Sequence, residues 1–205
     1  LEATGKPIRI GLIGSGMMGT DIVTQVLQMR GIVVAAIADI HVPAAVAALA
    51  SAGHDAHAHR IVETASALEQ AIVDKRIAIT QNADLVCACA MIDVVVDATG
   101  KPDVGAQIGL TAMEYGKHLV MMNVEADVTI GAYLKLEADR LGVVYSLGAG
   151  DEPSATIELI NFVSALGYPV IAAGKGKNNP LNVDATPDDY AGQALEMGLN
   201  PRMLV

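Results

Sequence analysis

The 205-residue chain is 52% hydrophobic and 18% charged, so a disordered chain is excluded and a sizeable core is expected. Thirteen Lys and Arg against 23 Asp and Glu give a formal net charge of -10, which argues against coating nucleic acid or an anionic membrane through a general field. A local basic pocket for a phosphorylated small molecule remains open. Aromatic residues are 3%, with no Trp and one Phe, so the core must come from Ala, Val, Ile, Leu and Met. No apolar stretch reaches the roughly 18 residues of a membrane helix, and no secretory signal is visible in LEATGKPIRI. Cys87 and Cys89 are too close for a disulfide framework and read as buried free thiols. A cytoplasmic, soluble and reduced protein is the expectation. The first residue is Leu and the last is Val205, so a fragment of a longer chain is expected.

In chain order, Ile8 to Ile13 is a nearly continuous apolar run and predicts a strand buried on both faces. Gly14 to Gly19 follows, then a helical pattern at Ile22, Val23, Val26, Leu27 and Met29, closed by Gly31. Ile32 to Ala38 predicts a second strand ending at Asp39, and Pro43 opens a helix over Ala44 to Ala50. Residues 51–91 read as an insertion or long crossover. Gly53 to Arg60 is polar and turn-like, and helices are expected around Ala65 to Asp74 and Ala83 to Ala90. Strands follow at Val94 to Ala98, Lys117 to Asn123 and Val143 to Leu147, with helices at Val104 to Tyr115 and Ile130 to Leu141.

This alternation is the pattern of a doubly wound parallel α/β sheet. Residues 1–149 are assigned to an N-terminal domain of this kind. A helix from Ser154 to Leu166 and a strand at Val170 to Ala173 open a second domain over residues 150–205, incomplete here. A weak tail begins at Val183.

Gly14-Ser15-Gly16-Met17-Met18-Gly19 fits G-x-G-x-x-G. It follows a predicted strand and opens a predicted helix, and Asp39 ends the next strand, which is the context a dinucleotide fingerprint requires. Gly14 makes the tight turn, Gly16 admits the pyrophosphate to the positive end of the helix, and Gly19 allows close packing. Asp39 is suited to the adenosine ribose hydroxyls, which points to NAD. A 2′-phosphate would meet a like charge, and His41 is a weak substitute for Arg. Thr99, Gly100 and Lys101 end a strand where a nicotinamide ribose would lie; a solvated loop charge is the other reading of Lys101.

The segments GLIGSGMMGTDIV, VVVDATGKPDVGA, HLVMMNVEADVTIG, SLGAGDEPSATIEL and AAGKGKNNPLN resemble a homoserine-dehydrogenase-like family. Within it they are most similar to the atypical 1-deoxy-D-xylulose 5-phosphate reductoisomerase-like enzymes. The first segment is generic to dinucleotide enzymes and the last three are more particular. The resemblance implies an N-terminal Rossmann domain that binds NAD(P), followed over residues 150–205 by an α/β catalytic domain that also forms a homodimer. It also implies NADPH-dependent rearrangement and reduction of the sugar phosphate to 2-C-methyl-D-erythritol 4-phosphate with a divalent metal. Conventional reductoisomerases carry Asn-Lys-Glu where this chain has Asn123-Val124-Glu125, so Asn and Glu match and the Lys does not. Their metal set is Asp-Ser-Glu; here Asp151 carries over and Glu152 is shifted to the adjacent position.

Asp151 and Glu152 follow a strand end and suit Mg²⁺ or Mn²⁺, with helix capping by Asp151 or Ser154 as the alternative. Lys175, Lys177, Asn178 and Asn179 form a polar set suited to a phosphate or polarised carbonyl, with a solvated loop as the alternative. Glu125 could orient substrate or nicotinamide, or simply place a charge at a helix start. Asn123 is assigned to the cofactor site. His54, His57 and His59 lack a matching ligand pattern for a metal. A homoserine-type dehydrogenase and a cofactor-binding regulator without turnover are the competing functional readings.

Overall fold

The computed structural model describes residues 5–55, 57–148, 154–174 and 182–196. Seven short segments become strands: β1 (Ile8–Ile13), β2 (Ile32–Ala38), β3 (His59–Ile61), β4 (Ile77–Thr80), β5 (Val94–Asp97), β6 (His118–Met121) and β7 (Tyr145–Leu147). They form one parallel sheet in the order β3-β4-β2-β1-β5-β6-β7. The helices between them are α1 (Met17–Val26), α2 (Val42–Ser51), α3 (Ala65–Val73), α4 (Ala83–Ala88), α5 (Pro102–Glu114) and α6 (Val124–Leu141). This is a Rossmann-like doubly wound fold, as the alternation predicts.

Two apolar layers hold it together. Ile10 and Leu12 of β1 join Val23, Val26, Ile37, Leu49 and Ile79 in one cluster. Ile13 of the same strand joins Leu68, Val86, Ile92, Ile108, Met113, Leu119 and Leu134 in the other. The two-residue strand period thus divides β1 between both faces, which is why its sequence is apolar throughout. Gly11 is the exception, and the space of its missing side chain is filled by Val86 and Ile92. Buried alanines, among them Ala36, Ala45, Ala71, Ala112 and Ala138, let helices approach the sheet closely without aromatic filler.

The region 51–91 differs from its reading as an insertion or crossover. It adds two strands to the sheet: β4 beside β2, and β3 on the edge beyond it. All four β4 residues are buried, whereas β3 carries the polar His59 and Arg60 as befits an edge. Two helix boundaries also move. The first helix ends at Val26, well before Gly31, and α6 begins at Val124, six residues ahead of Ile130. Asn123 caps α6 through Oδ1, which accepts from the Ala126 amide, and so starts the helix early.

The chain divides into two compact units, residues 1–155 and 156–205. The second contains most of α7 (Ser154–Ala165), a 3-10 turn at Pro187–Tyr190 and α8 (Ala191–Glu196). The expected strand at Val170 to Ala173 is absent; those residues are exposed and have no ladder partner among the described residues. A four-residue apolar run without a neighbouring strand has nothing to pair with.

Lys75, just past α3, has φ +58, the only non-glycine residue in left-handed backbone among the described residues. Its neighbour's amide, Arg76 N–H, donates to the Ala71 carbonyl and closes the helix end. Lys75→Gly removes the Cβ strain and is expected to raise unfolding free energy by about 1 kcal/mol, read as a higher urea midpoint at unchanged m-value.

Candidate functional site: a cleft at the switch point of the sheet

The ladder registers bring Thr80, Ala38, Ile13, Asp97, Met121 and Leu147 into one row at the carboxyl edge of the sheet. Chain direction out of that row reverses between β1 and β5, the position where doubly wound sheets open a crevice. A cleft of about 390 Å³ lies there, lined by Gly14, Gly16, Asp39, Thr99 and Lys101 among others.

Its floor is a backbone contact. Gly14 has φ +91, and a Cβ on it would lie 2.7 Å from the Ala98 carbonyl oxygen. The Gly14 amide donates to the Ala38 carbonyl at 2.9 Å, and the Ala98 amide to the Ile13 carbonyl at 2.8 Å, so the turn is tied to both neighbouring strands. A Cβ on Gly19 would collide with the Gly14 carbonyl, which fixes the close passage of α1 over the turn. A Cβ on Gly16 would meet nothing within 4 Å. Gly16 is the N-cap of α1 and makes no side-chain cap bond, and the first turn has no acidic residue. The helix therefore opens with free amides and positive dipole beside a bare backbone, which fits a pyrophosphate.

Asp39 follows β2 and turns back onto the glycine turn. Its Oδ2 accepts from Ser15 N at 2.8 Å and Ser15 Oγ at 2.6 Å, and its Oδ1 accepts from His41 N at 2.8 Å. Ser15 is buried, so this carboxylate braces the turn as well as lining the cleft. Ser15 occupies a variable position of the fingerprint, and spacing gave no reason to single it out.

On the opposite wall, Thr99, Gly100 and Lys101 lead into α5. The Thr99 amide donates to Asp97 Oδ1 at 3.0 Å. Asn123 lies beneath, 2% exposed, and its Nδ2 donates to the Lys101 carbonyl at 2.8 Å and to Thr99 Oγ1 at 3.3 Å. Asp97 is fully buried, and its Oδ2 has no hydrogen-bond partner among the described residues. Burial pushes its carboxyl above the ordinary value, against the lowering effect of the Thr99 and Asn123 donors beside it. Sequence reasoning missed Asp97; the signal was a lone carboxylate closing the apolar strand VVVD.

Met17 and Met18, expected at the cofactor, are exposed in the first turn of α1 and do not line the cleft. Glu125 is exposed in the first turn of α6, also off the cleft lining. Asp151, Glu152, Lys175, Lys177, Asn178 and Asn179 lie outside the described residues. Among the described residues no group of three His, Cys, Asp or Glu could hold a metal ion. His54 meets the Ala58 carbonyl, while His59 sits on β3 with Nδ1 buried and without a partner among the described residues. Cys87 and Cys89 are buried free thiols, and burial raises the Cys87 pKa to about 12, so it is chemically quiet. No helix among the described residues is long and apolar enough to cross a membrane.

A family model described as homoserine dehydrogenase, NAD binding domain, matches residues 14–140, and one described as oxidoreductase DRL, catalytic domain, matches residues 150–205. No curated protein matches the chain. Among solved structures, an NAD binding oxidoreductase from Klebsiella pneumoniae is similar at 18% identity and a TM-score of 0.56, over 79% of this chain and 39% of that one. The WlbA dehydrogenase from Bordetella pertussis, solved with NADH and UDP-GlcNAcA, is similar at 19% identity and TM-score 0.57, over 78% and 42%. Scyllo-inositol dehydrogenase from Lactobacillus casei, solved with NAD(H) and scyllo-inositol, is similar at 14% identity and TM-score 0.55, over 79% and 42%. At these identities the likeness is one of fold, and the chain spans about two fifths of each of these proteins.

The native pKa of Asp97 lies above the ordinary value of 3.8, so the native state holds this proton more tightly than the unfolded chain. Its contribution to stability is therefore full below that ordinary value and is lost as pH rises through the native pKa. Asp97→Asn has no such step. The stability of the variant minus that of wild type, from urea unfolding across pH, is expected to grow in favour of the variant over that window and then level off.

Proposed function

The chain belongs to the homoserine dehydrogenase NAD-binding domain family, and on that premise we propose that it is the dinucleotide-binding part of an NAD(P)-dependent oxidoreductase. The observation that carries this reading is the bare backbone of Gly14 and Gly16 at the start of α1, opening on a cleft that Asp39 also lines. Gly16 and the first amides of α1 would hold the pyrophosphate, Asp39 the adenosine ribose, and Thr99 to Lys101 the nicotinamide ribose. When bound, the nicotinamide supplies or accepts a hydride. The chain's own part is to bind the diphosphate without a cluster of cations, to orient the ring through the wall at Thr99 to Lys101, and to exclude water from the floor at Gly14. Asp39 accepts three hydrogen bonds and lines the cleft where the ribose would lie, which favours NADH over a 2′-phosphorylated cofactor.

The finer reading is reductoisomerisation of 1-deoxy-D-xylulose 5-phosphate in the isoprenoid precursor pathway, by a homodimer in the cytoplasm. It is supported by the likeness of the segments around Asp151 and Lys175 to reductoisomerase-like enzymes and by the catalytic-domain match over residues 150–205. In this reading Asp151 and Glu152 hold Mg²⁺ or Mn²⁺, and Lys175, Lys177, Asn178 and Asn179 hold the substrate phosphate or carbonyl. A homoserine-type dehydrogenase is the second reading, favoured by the match over residues 14–140.

The test is oxidation of NADH and of NADPH by the full-length protein. 1-Deoxy-D-xylulose 5-phosphate is supplied with and without Mn²⁺, and aspartate semialdehyde in parallel. Metal-dependent turnover of the ketose phosphate is the expected result. Turnover of the semialdehyde alone selects the second reading. Failure of both NADH and NADPH to bind overturns the oxidoreductase reading itself.

A further inference from the structure

We propose that Asn123 is a positioning residue: its buried amide fixes the loop Thr99–Lys101 for the nicotinamide half of the dinucleotide and does not touch the cofactor. The proposal rests on the cofactor reading above and refines the sequence assignment of Asn123 to the cofactor site.

At 2% exposure the Asn123 side chain has no surface to offer a ligand. Its hydrogen bonds instead join three elements. Oδ1 accepts from the Ala126 amide at 3.1 Å and caps α6, while Nδ2 donates to the Lys101 carbonyl at 2.8 Å and the Thr99 hydroxyl at 3.3 Å. Capping alone does not require Asn, because Ser, Thr or Asp accept from a helix amide equally well. The two amide hydrogens distinguish Asn from those residues, and both go to the loop. The Lys101 carbonyl also accepts from the Gly105 amide at 2.9 Å, so the clamp holds the start of α5 in the same act. Thr99 is fixed a second time by its amide on Asp97. With both ends held, the intervening Gly100 presents a backbone of set direction to the cleft.

An independent feature points the same way. Gly105 stands in the first turns of α5, where glycine costs about 1 kcal/mol against alanine. A Cβ there would lie 2.6 Å from Asn123 Nδ2 and 2.5 Å from Asp97 Oδ2. The helix gives up propensity at the one place where a methyl group would wedge the clamp open. Asp97, Asn123 and Gly105 are therefore one unit, built under the loop rather than beside the cofactor.

The test uses the full chain and two probes: NADH, followed by its own fluorescence, and ADP, which lacks both the nicotinamide and its ribose, followed by calorimetry. Asn123→Ser keeps a cap for α6 and removes both donors to the loop. It is expected to melt near wild type, to bind NADH about tenfold more weakly, and to bind ADP less than about threefold more weakly. Gly105→Ala is expected to reproduce that split. Thr99→Val removes one of the two loop bonds and is expected to give a smaller loss in the same direction, and it carries the test if Asn123→Ser does not fold. Unchanged NADH affinity in these variants overturns the proposal. An equal loss for NADH and ADP overturns it as well, since that is the mark of a general structural role. Absence of binding of both NADH and NADPH by wild type overturns the cofactor reading and the proposal with it.

Discussion

The Ala98 carbonyl oxygen occupies the space where a side chain on Gly14 would stand, and the ends of β1 and β5 can meet only because that side chain is missing. With φ +91 at Gly14 the chain reverses within one residue and delivers Gly16 and α1 to the carboxyl edge of the sheet. The Gly14 carbonyl in turn blocks any side chain at Gly19, so the helix is seated on the turn rather than above it. Any residue with a Cβ at position 14 would push the end of β5 away. That would shift Ala98 and Thr99, and with them the wall opposite the helix. The direction of α1 and the width of the cleft are thus set by one backbone contact, not by separate packing decisions.

That geometry resolves an apparent conflict with charge. A chain of net charge -10 is a poor host for a diphosphate if only the overall field is considered. Screening limits that field to about 8–10 Å at physiological salt, and the start of α1 has no acidic residue in its first turn. Free amides at contact distance act well inside the screening length, so the local arrangement decides. The carboxylates nearest the cleft also accept hydrogen bonds from the protein itself. Asp39 is drawn onto Ser15 and His41, and Asp97 is buried behind the Thr99 amide.

What could be read from the sequence follows from distance along the chain. The fingerprint from Gly14 to Gly19 and the strands ending at Ile13, Ala38 and Asp97 are local patterns, and the structure has them within a residue of their expected ends. Ile77–Thr80 escaped notice because its apolar run, Ile77 to Ile79, is brief and lies inside a stretch read as a crossover, and His59–Ile61 escaped because only Ile61 in it is apolar. β3 is further disguised by its polar edge character. The same brevity misled in the other direction at Val170 to Ala173, where an apolar run has no partner strand among the described residues. The contacts of Asn123 with Thr99 and Lys101 span 24 and 22 residues, and no local pattern encodes them.

The two sides of the cleft therefore differ in how openly the chain declares them. On the α1 side, glycine acts at the surface that lines the cleft, so the residues that shape the cleft and the residues that spell the motif coincide. On the α5 side, the loop that faces the cleft is ordinary in composition, and its order comes from a buried amide, a buried carboxylate and a helical glycine one layer below. A glycine inside a helix is disfavoured on propensity alone, so its presence at position 105 requires a tertiary reason. The nearest atoms to its absent Cβ are Asp97 Oδ2 and Asn123 Nδ2. A locally unfavourable residue thus marks the support of the site as surely as the fingerprint marks its surface, because both record a place where a side chain would stand in the way.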